Sequence, residues 1–219
     1  MGASTLVNTL TWVANTAYVT CYVPQIITNF RLKSGTGVSD GLLIGYLNLQ
    51  AVTLFYVFLI GLPPAYAILV PIQAIATLTL IIQRLAYDKV HNLSFWRMEI
   101  ITILNIAAFI VLLPFALRNP YIVGHLGGWG NVIIGGVSWF PQMFKVWRSK
   151  SVAGFDIRFV ALNFFGGVCE LIGAVIGDLP LQTKVSDLRL IILCLMVFGQ
   201  FALYRNNHAR QNKNRARAR

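Results

Sequence analysis

Tyr22-Val23-Pro24-Gln25 and Trp139-Phe140-Pro141-Gln142 lie inside two long apolar runs, and the same basic pattern follows each of them. Arg31-Leu32-Lys33-Ser34 with Gly37 comes after the first, and Arg148-Ser149-Lys150-Ser151 with Gly154 after the second. Each member of the second set stands 117 residues beyond its counterpart, without a gap. Proline inside an apolar helix removes one backbone donor and frees a carbonyl one turn earlier, which in a bilayer needs a partner within the protein. The pair reads either as two ordinary kinks or as two copies of one hinge.

The 117-residue register extends well past the Pro-Gln pair. Trp12 meets Trp129, Leu62-Pro63 meets Leu179-Pro180, Gln83 meets Gln200, and Tyr87 meets Tyr204. Composition says where such a duplication lives. The 219 residues are 57% hydrophobic and 11% charged, with a mean hydropathy of +0.67. A run of about 18 apolar residues is long enough to cross a hydrocarbon layer of roughly 30 Å. Several runs qualify, which describes a polytopic membrane protein. They are expected at 6–30, 38–60, 66–85, 98–117, 127–147, 155–177 and 188–204, with the loop 178–187 before the last. The fold class expected is therefore all-α integral membrane, with seven transmembrane helices. A first three-helix repeat occupies 1–90, a linker helix 91–122, a second three-helix repeat 123–204, and a basic tail 205–219. A linker helix between two three-helix units makes the repeats parallel, giving a 3+1+3 arrangement.

The net charge of +11 would suit nucleic acid, but its distribution follows membrane topology instead, so nucleic acid is not an expected partner. Fifteen Lys and Arg fall at one set of loop ends and in the tail; only Arg118, Lys184 and Arg189 fall at the other. The basic side is expected in the cytoplasm, with the N-terminus extracellular or luminal and the C-terminus cytoplasmic. A bacterial inner or other plasma membrane is favoured over a lysosomal one. The six Lys and Arg of the tail suit anionic lipid. No removed signal peptide is read at the N-terminus.

Polar groups at bilayer depth are functional candidates. Asn163, Gly167 and Glu170 recur at i, i+4 and i+7 on the sixth run, and their counterparts Tyr46, Gln50 and Thr53 do the same on the second. Two such stripes facing a common axis would hold a small polar solute at mid-membrane; Asn48 lies off the stripe and is a weaker candidate. Glu170 is the candidate proton carrier. For each stripe residue the alternative is a hydrogen bond that only holds helices together. Gln83 and Gln200 are gate candidates, with capping as the alternative. Glu99, Asn105, His91, His125 and His208 carry no expected role in binding. Cys21, Cys169 and Cys194 lack metal-ligand spacing and are expected as small buried side chains. No enzyme constellation, metal site or cofactor motif is found.

A Pro-Gln dipeptide followed by Arg-x-Lys-Ser-x-x-Gly, twice in seven runs, resembles the PQ-loop family of membrane transporters, cystinosin-like and related to the SWEET sugar transporters. The resemblance implies alternating access, with Pro24 and Pro141 as hinges and Gln25 and Gln142 bonded to nearby backbone. It also implies an acid for proton coupling where this chain has Asn163, in Ala161-Leu162-Asn163-Phe164-Phe165-Gly166-Gly167. The function expected is transport of a small polar solute, an amino acid before a sugar. A sugar facilitator, or a non-transporting receptor or scaffold on the same fold, are the alternatives.

Overall fold

The computed structural model describes residues 3–88 and 113–217, with residues 100, 103, 107, 110 and 111 between them. Among the described residues there are helices and no strands: α1 (Ala3–Thr20), α2 (Tyr22–Leu32), α3 (Asp40–Ile60), α4 (Pro64–Asp88), α5 (Pro120–Ser149), α6 (Ile157–Ile176) and α7 (Leu181–Arg217). Four of them, α3, α4, α6 and the Leu181–Arg205 part of α7, are long and apolar enough to cross a membrane. Most of the linker expected at 91–122, with His91, Glu99 and Asn105, lies outside the described residues, as do the side chains of the basic tail, His208 included.

The boundaries differ from the sequence reading in three places, each with a physical cause. The first run is two helices, because the chain breaks at Cys21 just before Pro24, whose ring leaves no N–H for the ladder. In the second copy Pro141 is carried within an unbroken α5. That helix begins at Pro120 rather than 127, since proline at the first helical position gives up a donor that would be unpaired anyway. The stretch read as the loop 178–187 is mostly the first turns of α7. Its polar residues lower the hydropathy there but face inward: Gln182, Thr183 and Asp187 are buried.

The two copies interlock. The first helix of each packs against the second helix of the other, α3 on α5 and α1 on α6. Gly45 lies against Ser138, and Gly41 against the Pro141 ring. At the basic end the loops cross at Gly37 and Gly154, where a Cβ on Gly37 would overlap the Gly154 carbonyl. Gly154 has φ +75°, a left-handed conformation that only glycine takes without cost. The lysine of each Arg-x-Lys-Ser pattern is also left-handed, Lys33 at 48° and Lys150 at 50°. Each ends its helix and sets its ammonium over aromatic rings, Lys33 over Phe30 and Tyr87, Lys150 over Trp147 and Tyr204.

The two Pro-Gln glutamines hold this crossing. Gln25 is fully buried; its Nε2 donates to the Gly154 carbonyl at 2.8 Å, and its Oε1 accepts from the Asp156 N–H at 2.8 Å. Gln142 is also fully buried; its Oε1 accepts from the Ser39 N–H at 2.6 Å and its Nε2 donates to the Gly37 carbonyl at 3.2 Å. The backbone they bind is near in space and distant in sequence. It is the loop of the opposite copy, more than 100 residues away. Thr28 adds a hydrogen bond to the Asp156 carboxylate at 2.9 Å, and Lys145 donates to the Thr36 and Val38 carbonyls. Arg158, whose side chain and backbone N–H both donate to it, holds the Asp156 carboxyl below the usual carboxylate range. Arg84 closes the first copy with ion pairs to Asp40 at 2.8 Å and Asp88 at 2.7 Å.

Gln25→Ala strips partners from two half-buried backbone groups, a loss of about 1–3 kcal/mol. Gln142→Ala should cost a similar amount. Gln83 donates to the Ile26 carbonyl, which sits within a helix, so Gln83→Ala should cost less. Thermal unfolding in detergent checks the order, and equal melting temperatures for Gln25→Ala and Gln83→Ala would contradict it.

Candidate functional site

The aromatic residue two places before each Pro-Gln proline points to the centre. Tyr22 and Trp139 meet Tyr46 and Phe159 in one cluster, with ring centroids 5.6 Å apart for Tyr22–Phe159 and 6.0 Å for Tyr46–Trp139. The glutamines lie one turn further toward the basic end. On the other side of this aromatic layer is a cavity of about 110 Å3. It reaches from Tyr22, Tyr46 and Trp139 to Leu62 in the α3–α4 turn and to Gln182 and Thr183 at the start of α7.

The polar stripe of α3 faces it: Tyr46, Gln50 and Thr53 all line the cavity, as do Asn163 and Glu170 of α6. Gln50 Nε2 donates to the Tyr22 hydroxyl at 3.0 Å and to Thr77 Oγ1 at 2.9 Å. Asn163 spends its Nδ2 on the Phe159 carbonyl of its own helix, at 2.8 Å. Gly167 and Asn48 do not line the cavity. A Cβ at Gly167 would sit 3.3 Å from Ile191 Cγ1, so this glycine closes the α6–α7 packing instead. Asn48 is buried, two positions from both Tyr46 and Gln50 in a helix that turns about 100° per residue.

Gln83 and Gln200 do not border the cavity either. Gln83 Nε2 donates to the Ile26 carbonyl at 3.1 Å, and Gln200 Nε2 to the Met143 carbonyl at 2.9 Å. Ile26 and Met143 each follow a Pro-Gln glutamine, so these are equivalent ties from the third helix of each copy to its own hinge helix. Cys21 and Cys194 are buried and Cys169 half-buried, all with free thiols. Among the described residues, no group of three His, Cys, Asp or Glu side chains could hold a metal ion.

Much of the wall comes from residues the sequence reading passed over. Tyr18 on α1, Tyr66 on α4, Asn131 on α5, and Ser186, Asp187 and Arg189 on α7 all line the cavity. Asn131 Nδ2 donates to Thr53 Oγ1 at 2.6 Å, and Ser186 donates to Asn131 Oδ1 at 2.7 Å. Arg189 donates to the Asn131 and Val132 carbonyls at 2.7 and 2.5 Å, and to Ser186 Oγ at 3.1 Å. The signal was available: residues 183, 186, 187 and 190 recur at helical spacing.

Nine buried side-chain polar atoms lack a hydrogen-bond partner among the described residues, and seven of them belong to cavity-lining residues. They are the hydroxyls of Tyr18, Tyr46 and Tyr66, the Oε1 of Gln50 and Gln182, Oδ2 of Asp187 and Nε of Arg189. Buried polar groups are ordinarily paired. This wall concentrates the exceptions, and with them unused hydrogen-bonding capacity.

Comparison with known proteins agrees with this architecture. A family model described as the PQ loop repeat matches residues 6–66 and 123–183. Cystinosin of Bos taurus is 25% identical over 230 residues, covering 89% of this chain; the chain spans 62% of cystinosin's length. The solved structure of a eukaryotic SWEET transporter superposes with a TM-score of 0.67 at 15% identity, over 93% of this chain and 99% of that one. The duplicated, all-helical, multi-pass chain therefore belongs to the PQ-loop repeat family.

Proposed function

We propose that this protein is a membrane transporter that moves a small polar solute, an amino acid before a sugar, by alternating access. The observation that carries the reading is the set of seven unpartnered polar atoms in the wall of one central cavity. A solute that pairs them is held; a scaffold that bound nothing there would lose stability at each one. Cystinosin and the SWEET transporter are similar proteins whose names agree with it.

In this reading two parallel three-helix bundles, joined by a linker helix over 91–122, rock about the cavity. Pro24 and Pro141 are the hinges, and the crossing held by Gln25 and Gln142 is the closed gate at the basic end. By the positive-inside rule that end faces the cytoplasm, the N-terminus lies outside or in a lumen, and anionic lipid meets the tail. A plasma or bacterial inner membrane is favoured over a lysosomal one. Tyr46, Gln50, Thr53, Asn163 and Glu170 are solute-facing. Glu170 is the proton carrier, in place of the acid whose position Asn163 takes. The titratable and charged groups that act on it are Tyr18 on α1, Tyr66 on α4, and Asp187 and Arg189 on α7.

A solute-library uptake screen in proteoliposomes, with and without a pH gradient, should find flux of at least one amino acid, faster when the solute side is acid. Absence of flux for every solute, with binding retained, would assign the fold to a receptor; flux of sugars alone would make it a sugar facilitator. Glu170→Gln should abolish the pH dependence of the flux that remains. Unchanged pH dependence would remove Glu170 from the proton role.

A further inference from the structure

Arg189 holds more hydrogen-bond donors than the protein uses. A guanidinium carries five N–H bonds, two on each terminal nitrogen and one on Nε. The two on Nη1 go to the Asn131 and Val132 carbonyls, and one on Nη2 goes to Ser186 Oγ. The Nε–H has no partner, and the second Nη2–H is also unused. Among the described residues no carboxylate comes within 4.0 Å of the guanidinium to form an ion pair. The head is nonetheless fixed: Gly135 leaves the space it occupies, where a Cβ would collide with Nη1.

Acid groups face the same space. Asp187, two residues earlier on α7, is 4% exposed and keeps Oδ2 unpartnered. Glu170 on α6, 6% exposed, lines the cavity within electrostatic reach of both. A buried cation and buried anions that do not contact one another are costly to maintain, because each is desolvated while attraction across the gap returns less than a contacting pair would. A guest that carries both charges relieves the two ends together.

We infer that the cavity takes its solute as a zwitterion, with a carboxylate on the free Nε–Nη2 side of Arg189 and an ammonium at Asp187 and Glu170. The inference rests on the transporter reading and specifies its solute. A planar carboxylate presents two oxygens to two guanidinium donors, which a hydroxyl or a spherical anion matches less well. A simple amine leaves Arg189 unpaired, an inorganic anion leaves the acids unpaired, and a neutral sugar leaves all three. Arg189 is then the specificity-determining residue. The competing account makes Arg189 a staple between α5 and α7, with no part in solute choice.

Two measurements separate these. The first uses the unmodified protein in detergent or nanodiscs and a panel of α-amino acids, their methyl esters, their N-acetyl derivatives, the corresponding decarboxylated amines and neutral sugars. Binding is read by thermal shift and by fluorescence of Trp139, which lines the cavity. At least one free amino acid should bind about tenfold or more tightly than its ester, its amine and its N-acetyl form. The second uses Arg189→Gln and Arg189→Lys. Arg189→Gln should weaken the free acid by about tenfold or more and bring acid and ester level, while Arg189→Lys should retain part of the preference. Equal binding of acid and ester by the unmodified protein, or no binding of any amino acid, would overturn the inference whether or not the variants fold. So would an acid-over-ester preference that survives in folded Arg189→Gln. Transport of a neutral sugar with unchanged Arg189→Gln kinetics would overturn it and leave the transporter reading standing. Acid-selective binding without flux would do the reverse.

Discussion

Everything at the basic end depends on two amides. Gln25 and Gln142 each use a side-chain carbonyl and a side-chain N–H to satisfy backbone that the other copy leaves unpaired where its loop turns into a helix. Loop backbone has no ladder partner of its own and must find one elsewhere in the protein or in water. A primary amide is the side-chain group that offers a donor and an acceptor together on one rigid plane. Glutamate would offer acceptors alone, and methionine of similar length would offer neither. The proline one residue earlier loosens the helix at the same height. Proline and attachment thus occupy adjacent residues, and the attachment crosses between copies.

The duplication is closely kept at the basic end and weakly kept in the cavity. Gln25 and Gln142, Gln83 and Gln200, Gly37 and Gly154, and Lys33 and Lys150 all make equivalent contacts at equivalent positions. The charged wall has no such echo: Asp187 and Arg189 correspond to Val70 and Ile72, and Asn131 corresponds to Ala14. Tyr18 corresponds to Gly135, so one position fills space beside α6 in the first copy and empties it for the Arg189 head in the second. Rocking about a pseudo-twofold axis needs two similar bundles. Recognition of an asymmetric molecule needs two different walls.

That division explains what could be read in the residues. The Pro-Gln pair, its register and the alternation of apolar runs rest on local patterns: proline chemistry, hydropathy and a fixed offset. The α3 stripe of Tyr46, Gln50 and Thr53 was equally legible, because helical spacing alone puts three residues on one face. Gly167 fell on the matching face of α6, but spacing cannot say which neighbour that face meets at each turn, and here it meets α7. Asp187 and Arg189 were obscured by their chemistry. A hydropathy reading takes a polar stretch beside a membrane span for a loop, and an inward-facing first turn of α7 has the same composition. The glutamine contacts span more than 100 residues, and nothing in the chain near Gln25 indicates that its partner is Asp156.

The unpartnered groups also constrain how such a site switches. Seven buried polar atoms at about 1–3 kcal/mol each would rival the whole stability of a domain, about 5–15 kcal/mol. They are tolerable only when something polar meets them, and a cavity of about 110 Å3 has room for several waters. Solute binding is then an exchange, in which water contacts are traded for solute contacts, and affinity depends on how completely the solute replaces them. A solute that leaves the Arg189 donors or the Asp187 oxygen bare after expelling water is penalised by those same groups. The polar wall selects as much by what it refuses as by what it holds. A solute can shift the balance between closed and open basic ends only by the difference in its contacts between the two states. Tyr22 and Trp139, which line the cavity one turn from Gln25 and Gln142, are the side chains that stand between its solute space and the crossing.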